Sequence, residues 1–142
     1  MKRNFLTPIL IAAAIALSTY AVKANAADLV VTINGVGDKG NVMVALYKKD
    51  DKWMAKSPMG TMVAAKKEGV TVSFKDLPEG EYAVSLFVDE NSNGKMDANA
   101  IGIPTESFGF SNNAFGNFGP PTFAQAKFIV GKDNVNTIIT LK

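Results

Sequence analysis

Short apolar runs separated by turn residues recur along this chain, and they restrict its possible folds more than any other feature. Large apolar residues occupy every second position from Leu29 to Ile33 and from Val70 to Phe74, as in strands that bury one face. The run from Asn41 to Tyr47 is apolar on both faces, which is typical of a central strand. Asp76 to Gly80 carries the Pro and Gly of a turn.

Further runs of the same kind predict strands over Tyr82 to Val88, Phe123 to Val130 and Val135 to Leu141. Lys132 to Asn134 separates the last two and predicts a hairpin between them. Thr61 to Ala65 adds a short edge strand. Because no long helical pattern follows residue 26, we predict an all-β fold. Its form would be an antiparallel β-sandwich of about seven strands, immunoglobulin-like or prealbumin-like.

The N-terminal residues resemble a targeting signal. Lys2 and Arg3 precede an apolar run from Phe5 to Ala16, and Ala24 to Ala26 supplies the small residues of a cleavage site. We therefore predict a signal peptide over residues 1–26 and a single domain over residues 27–142. The apolar run is too short for a good membrane span, so we expect a periplasmic or secreted protein with no span after cleavage.

Cleavage would change the charge of the chain, because three of the 15 basic residues precede the cut. The remaining 12 basic residues face 13 acidic ones, so the net charge passes from +2 to −1 and gives no indication of nucleic acid binding. The chain contains no Cys and no His. Disulfides, Ser-His-Asp and Cys-His catalysis, and zinc sites with nitrogen or sulfur ligands are thereby excluded. We therefore expect a protein that is not an enzyme.

One loop has the spacing of a calcium-binding loop, in which positions 1, 3, 5, 7 and 9 supply oxygen ligands. The corresponding ligands here are Asp89, Asn91, Asn93, the carbonyl of Lys95, and Asp97. Gly94 occupies the bend, but Ala100 stands where a bidentate Glu would close the coordination sphere. The alternative is a structural turn, because Asn93-Gly94 is a good hairpin signal and short polar side chains cap their own turns. The sequence leaves both readings open.

A second unusual segment, Ser107 to Phe123, combines many Phe residues with Gly and Pro. Four of the rings are candidates for a ligand platform: Phe108, Phe110, Phe115 and Phe118. Such exposed rings would contact a sugar, a peptide or a lipid. The alternative is that the rings turn inward and fix a long loop to the sandwich.

Two sets of motifs resemble known families. The run VSFKDLPEGEYAV from Val72 to Val84 resembles the F-x-x-L-P-x-G-x-Y signature of transthyretin-like and carboxypeptidase-regulatory-like sandwiches. The segments DENSNGKMD, GIPTESFGFSNN and FGPPTF are similar to the exported bacterial domain of unknown function 2141. This second resemblance covers nearly all of the predicted mature chain. It implies a prealbumin-like or immunoglobulin-like β-sandwich and an exported location, and it implies no activity.

These observations predict a non-enzymatic binding or accessory module of the cell envelope. Its working end would be the loops from Asp89 to Phe123, with an envelope carbohydrate, a peptide or a protein as ligand and calcium as the only candidate cofactor. One alternative is a hydrolase of envelope carbohydrate that pairs Asp89 or Asp97 with Glu106, because two carboxylates can cleave a glycoside. The other alternative is a purely structural domain.

Overall fold

The structure is a computed structural model that describes residues 26–142, and two packed β-sheets make up most of it. The strands are β1 (Ala26–Asn34), β2 (Asn41–Lys48), β3 (Met59–Ala64), β4 (Val70–Pro78), β5 (Gly80–Asp89), β6 (Phe108–Phe110), β7 (Phe128–Val130) and β8 (Val135–Thr140). A 3-10 turn spans Ser111–Asn113, and a four-residue helix, α1, spans Phe123–Ala126. Residues 1–25 of the predicted signal peptide lie outside the described residues, and Ala26 is the first residue of β1.

The strands form one sheet of three and one sheet of five. The order in the smaller sheet is β4-β1-β8, and the order in the larger is β3-β2-β5-β6, with β7 also pairing with β5. All pairs are antiparallel except β1 with β8. The all-β sandwich is therefore confirmed, with one parallel pair that the sequence did not predict.

The core lies between the inner faces of the two sheets. Leu29, Val31 and Ile33 of β1 are fully buried on one side. The strands predicted over Asn41 to Tyr47, Tyr82 to Val88 and Val135 to Leu141 also bury residues here: Val42, Val44, Leu46, Tyr82, Val84, Leu86, Ile139 and Leu141. Burying one such aliphatic side chain stabilises the folded state by about 1.5–3 kcal/mol. The alternation along these strands therefore fixes which face of each sheet turns inward.

The predicted strand over Phe123 to Val130 is wrong in its first half, because residues 123–126 form α1. Thr122 begins this helix with a capping box. Its hydroxyl accepts the N–H of Gln125 at 3.3 Å, and the Gln125 side chain accepts the N–H of Thr122 at 2.8 Å. This reciprocal pair satisfies two N–H groups at the helix start. Only Phe128–Val130 continues as a strand.

The predicted hairpin at Lys132 to Asn134 is also wrong. β7 pairs with β5 in the larger sheet, whereas β8 pairs with β1 in the smaller one, so the connection crosses between the sheets. The side chain of Asn134 accepts the backbone N–H of Asp28 at 2.9 Å, which holds this crossing against the start of β1. The crossing also places Ile139 in the core.

The other two turn and edge predictions are confirmed in outline. β3 covers most of Thr61 to Ala65 and lies at the edge of the larger sheet, where it pairs with β2 alone. The Asp76 to Gly80 turn is tighter than expected, because β4 continues to Pro78 and β5 starts at Gly80. The chain thus passes from one sheet to the other at Glu79.

Candidate functional site

A row of large apolar side chains crosses the outer face of the larger sheet. Met62, Met43, Phe87 and Phe108 are successive partners across β3, β2, β5 and β6. Partners directly opposite each other in neighbouring strands point to the same face. None of the four is fully buried, and 60% of Met62 is exposed. The face that commonly carries polar residues in an antiparallel sandwich is therefore apolar here.

A second row, two residues further along each strand, consists mostly of small side chains. Gly60, Ala45 and Ser85 are partners across β3, β2 and β5, and Phe110 continues the row in β6. Side chains therefore project little from the sheet at these three positions, and they project further along the neighbouring row of methionine and phenylalanine residues. This difference in side-chain size produces a trough that runs across the strands.

The far wall of the trough is the loop between β2 and β3 together with Tyr47. The Tyr47 hydroxyl donates a hydrogen bond to the carbonyl of Ala55 at 2.8 Å, which holds this loop over the sheet. The Tyr47 and Trp53 rings meet edge to face at 4.9 Å, and Trp53 donates its indole N–H to the carbonyl of Pro121 at 2.8 Å. The wall is therefore fixed at several points before any ligand binds.

Behind this wall lies a small second core on the same outer face. Ala83, Phe110 and Ala126 are buried in it, and Trp53 and Phe123 pack against them. The loop segments and α1 thus cover one part of the outer face, and the rest remains open.

The open part is a groove of about 600 Å³, within the usual range for ligand sites of roughly 300–1,000 Å³. Four of the five methionines in residues 26–142 line it: Met43, Met54, Met62 and Met96. Lys56 is the one charged residue of the lining within the described part of the chain. An open apolar groove of this size on a sheet face is typical of a contact or ligand site.

The loop with calcium-like spacing is held together by its own hydrogen bonds. The Asp89 side chain is 2% exposed, and its two oxygens accept the backbone N–H groups of Asn93 at 3.0 Å and Gly94 at 2.7 Å. The amide groups of Asn91 and Asn93 donate to the two oxygens of Asp97, at 2.5 and 2.9 Å. The loop thus brings four of the predicted ligands together. The contacts of Asp89 are those of a side chain that caps a turn.

Glu106 closes the base of this loop. It is 7% exposed, and its two oxygens accept the N–H groups of Glu90 and Asp97, each at 2.9 Å. Within residues 26–142 there is no group of three or more acidic side chains that could hold a metal ion. These contacts favour the structural turn, and calcium binding stays a prediction. Of the carboxylates that the hydrolase alternative requires, Asp89 and Glu106 are buried partners of backbone N–H groups, and Asp97 accepts the side-chain amides of Asn91 and Asn93.

The four rings of the predicted platform differ widely in exposure. Phe110 is buried, and Phe108 is half-buried with its ring 6.0 Å from that of Phe110. Phe115 is exposed and stacks on Phe108 at 6.2 Å, with the ammonium group of Lys142 4.3 Å above its ring. Phe118 is fully exposed and pairs with no other ring in the described part of the chain. Only Phe110 lines the groove.

Apart from Phe110, the residues that form the groove were not singled out from the sequence. Their one signal was the apolar character of both faces of Asn41 to Tyr47, which predicted a central strand. β2 is indeed central, between β3 and β5. One of its faces is core, whereas Met43 and Ala45 are only half-buried in the groove. The segment from Asp89 to Asp97 contributes Met96 to the lining.

The fold and the groove together define an all-β sandwich with a methionine-lined outer face. Among residues 26–142, no helix has the length and apolar character needed to cross a membrane. The chain belongs to the bacterial family described as "Uncharacterized protein conserved in bacteria (DUF2141)", whose family model matches residues 31–138. The resemblance of the sequence to the domain of unknown function 2141 is thus confirmed. A search of the curated proteins finds no match to the chain, and a search of the solved structures finds none either.

Proposed function

We propose that this protein is an exported binding module of the cell envelope and that its groove holds an apolar chain. The observation that carries the proposal is the trough of small residues, Gly60, Ala45 and Ser85, beside the row of large apolar ones. Solvent-exposed sheet faces are normally polar, and a contiguous apolar patch left open is costly without a partner.

The methionines support an apolar chain rather than a rigid ligand. Methionine is unbranched and polarisable, so its side chain adapts to ligands of varying shape. Met54 and Met62 are exposed on opposite sides of the trough, where they could close over an occupant. The fixed wall of Tyr47 and Trp53 would supply the rigid side of the site.

The start of the chain supports the export part of the proposal. Lys2 and Arg3, the apolar run and Ala24 to Ala26 have the order of a cleavable signal. The absence of His and Cys from the whole sequence removes the commonest nucleophile and base arrangements. A binding or accessory role therefore agrees better with the residues than an enzymatic one.

In the test, the neutral dye N-phenylnaphthylamine is titrated with the protein that begins at residue 27, and the fluorescence of the dye is measured. We expect saturable binding that is competed by a neutral long-chain alcohol. Ala45→Leu would fill the floor of the trough and should weaken dye binding about tenfold, a loss of roughly 1.4 kcal/mol.

The matched control is Ala124→Leu, because Ala124 is exposed on α1 and does not line the groove. It should bind the dye as the unchanged protein does. Circular dichroism and thermal unfolding of each variant establish that the sandwich is intact. Absent dye binding, or equal binding by Ala45→Leu and the unchanged protein, would contradict the proposal and favour the purely structural domain.

A further inference from the structure

We infer that the ligand of the groove is a single-chain anionic amphiphile, namely a long-chain carboxylate whose tail lies in the trough and whose head group meets Lys56. This inference rests on the proposed function, since it names the ligand of the same groove. It follows from the different character of the two ends of the trough.

One end of the trough is closed and apolar. The row Gly60, Ala45, Ser85 ends at Phe110, which is a buried member of the second core. The centroids of the Phe110 and Trp53 rings lie 6.1 Å apart, and the two packed rings close this end of the trough. At this end the trough provides only apolar contacts, which suit the methyl terminus of the ligand's tail.

The other end is open and lies at the edge of the sheet. β3 is the edge strand, and Gly60 has no side chain to close the trough there. The Ser57 hydroxyl donates to the carbonyl of Leu46 at 2.5 Å and accepts the backbone N–H of Met59 at 3.1 Å, so Ser57 is fixed beside the first residue of β3. Lys56 precedes Ser57 and is therefore held at the mouth of the trough.

The charge at the mouth determines the sign of the head group. Lys56 is exposed, and within residues 26–142 it forms no ion pair. A carboxylate placed there would gain an attraction, whereas a cationic head group would be repelled. The Lys56 side chain can also lay its methylenes along the apolar wall while its ammonium group stays in water.

The dimensions of the trough set the length of the chain. From β3 to β6 there are three inter-strand spacings of about 4.8 Å, which give roughly 14 Å. An extended chain advances about 1.25 Å per methylene, given carbon–carbon bonds of about 1.5 Å. The trough therefore accommodates about ten to twelve carbons, and longer chains should gain little further affinity.

The experiment compares three ligands with the same twelve-carbon tail as competitors of the dye, each below its micelle-forming concentration. They are dodecanoate, dodecanol and dodecyltrimethylammonium. We expect dodecanoate to bind about two- to fivefold more tightly than dodecanol, which is the range for one exposed ion pair, and the ammonium compound to bind most weakly. The preference should shrink as salt is added.

Lys56→Gln should remove the preference, so that dodecanoate and dodecanol compete with the dye equally well. Lys52→Gln is the matched control, because Lys52 is exposed in the same loop and does not line the groove. It should retain the preference. Equal binding of dodecanoate and dodecanol by the unchanged protein would overturn the inference, and so would an unaltered preference in Lys56→Gln.

The outcomes separate the inference from the proposed function. Dye and dodecanol binding without a preference for the carboxylate would leave the apolar groove standing and remove only the anionic head group. Failure of the dye and all three ligands to bind would overturn both. A second copy of the chain as occupant is tested by sedimentation. A concentration-dependent dimer that Met62→Glu dissociates would assign the groove to self-association and overturn the inference.

Discussion

The hydroxyl of Ser111 accepts the backbone N–H of Val84 at 2.8 Å and donates to the carbonyl of Ala126 at 2.5 Å. Along this side of β5, β7 pairs with Gly80 to Tyr82 and β6 pairs with Ser85 to Phe87. Val84 lies between these two pairings. The serine side chain thus takes the place that a continuous neighbouring strand would occupy.

Replacing Ser111 by alanine should therefore destabilise the protein. The buried N–H of Val84 and the carbonyl of Ala126 would both lose a partner, at a cost of about 1–3 kcal/mol. The free energy of unfolding from urea titration measures this loss. Ser73→Ala, at an exposed position of β4, should change stability by less than about 0.5 kcal/mol. Equal effects of the two substitutions would show that the Ser111 contacts contribute nothing.

Gly109 separates the two sheets where β6 approaches β8. A Cβ atom added there would lie 2.8 Å from the Cγ2 atom of Ile139 and 3.1 Å from the Cδ2 atom of Leu141. Gly109→Ala should therefore overpack the core and cost about 1–3 kcal/mol. Urea titration of the single and double variants measures it.

Ile139→Ala removes the atom in closest conflict, so its combination with Gly109→Ala should cost less than the sum of the two single changes. Gly131→Ala is the matched control, because a Cβ there has no atom within 4 Å. It should be neutral or slightly stabilising. Additive costs for the Gly109 and Ile139 pair would mean that the clash is not the cause.

Glu81 should make stability depend on acid pH. A hydrogen bond from Lys127 and a second from Lys49, at 3.1 Å, hold the pKa of this carboxyl below its ordinary value of 4.5. Because the folded-state pKa is lowered, its contribution is complete above the ordinary pKa and is lost as pH falls through the lowered value. Glu81→Gln should lower the melting temperature at about pH 7 and have less effect at about pH 3.

The exposed neighbour Glu79 forms no ion pair within the described residues and supplies the control. Glu79→Gln should leave the pH profile of the melting temperature unchanged. A profile for Glu81→Gln that runs parallel to that of the unchanged protein would show that the Lys127 and Lys49 contacts are not formed in solution.

Asp89→Asn should destabilise the protein in buffer without calcium. Both carboxylate oxygens accept backbone N–H groups, and an amide would present an N–H group to one of these donors. The expected cost is about 1–3 kcal/mol by urea titration. We expect calcium at about ten millimolar, well above the weak end of the extracellular range, to change the melting temperature of the unchanged protein little. An increase of roughly 4–8 °C, abolished in Asp89→Asn, would instead establish the calcium loop.

Export should remove the first 26 residues. Mass spectrometry of the protein from an envelope fraction is expected to find Ala27 at the N-terminus, because Ala24 to Ala26 ends the predicted signal. Ala24→Leu should block the cut by removing a small residue from the cleavage site. Recovery of exported protein that still begins with Met1 would contradict this prediction.

The sequence predicted the strands well because alternation is a local signal. In β1 and β4, every second position is apolar and most of these residues are buried. The capping box of Thr122 and Gln125 was also a local signal of a helix. The apolar residues that follow it have the pattern of a strand, so the sequence predicted a strand there instead. Pairing between distant strands has no such signal. The turn residues of Lys132 to Asn134 indicate a reversal, and they do not indicate which sheet receives the next strand.

The groove depends on the same non-local information. Gly60, Ala45 and Ser85 become neighbours only through the registers of β2 with β3 and with β5. A shift of one residue in either register would turn this row to the other face. The Asp89 loop was visible as a motif because the side chains of its ligand-like positions lie within nine residues of chain. The same side chains suit a turn cap as well as a set of metal ligands.

The parallel pairing of β1 with β8 imposes an order on assembly. Asp28 and Asn134 meet at this pairing although they are 106 positions apart. A chain that is synthesised N-terminus first can pair β1 with β4, but the other edge of β1 has no partner until β8 has been made. Such an edge recruits strands from other molecules. Each newly made chain is therefore open to aggregation until its last strand is in place. A chaperone that covers β1 during that interval would raise the yield of folded protein.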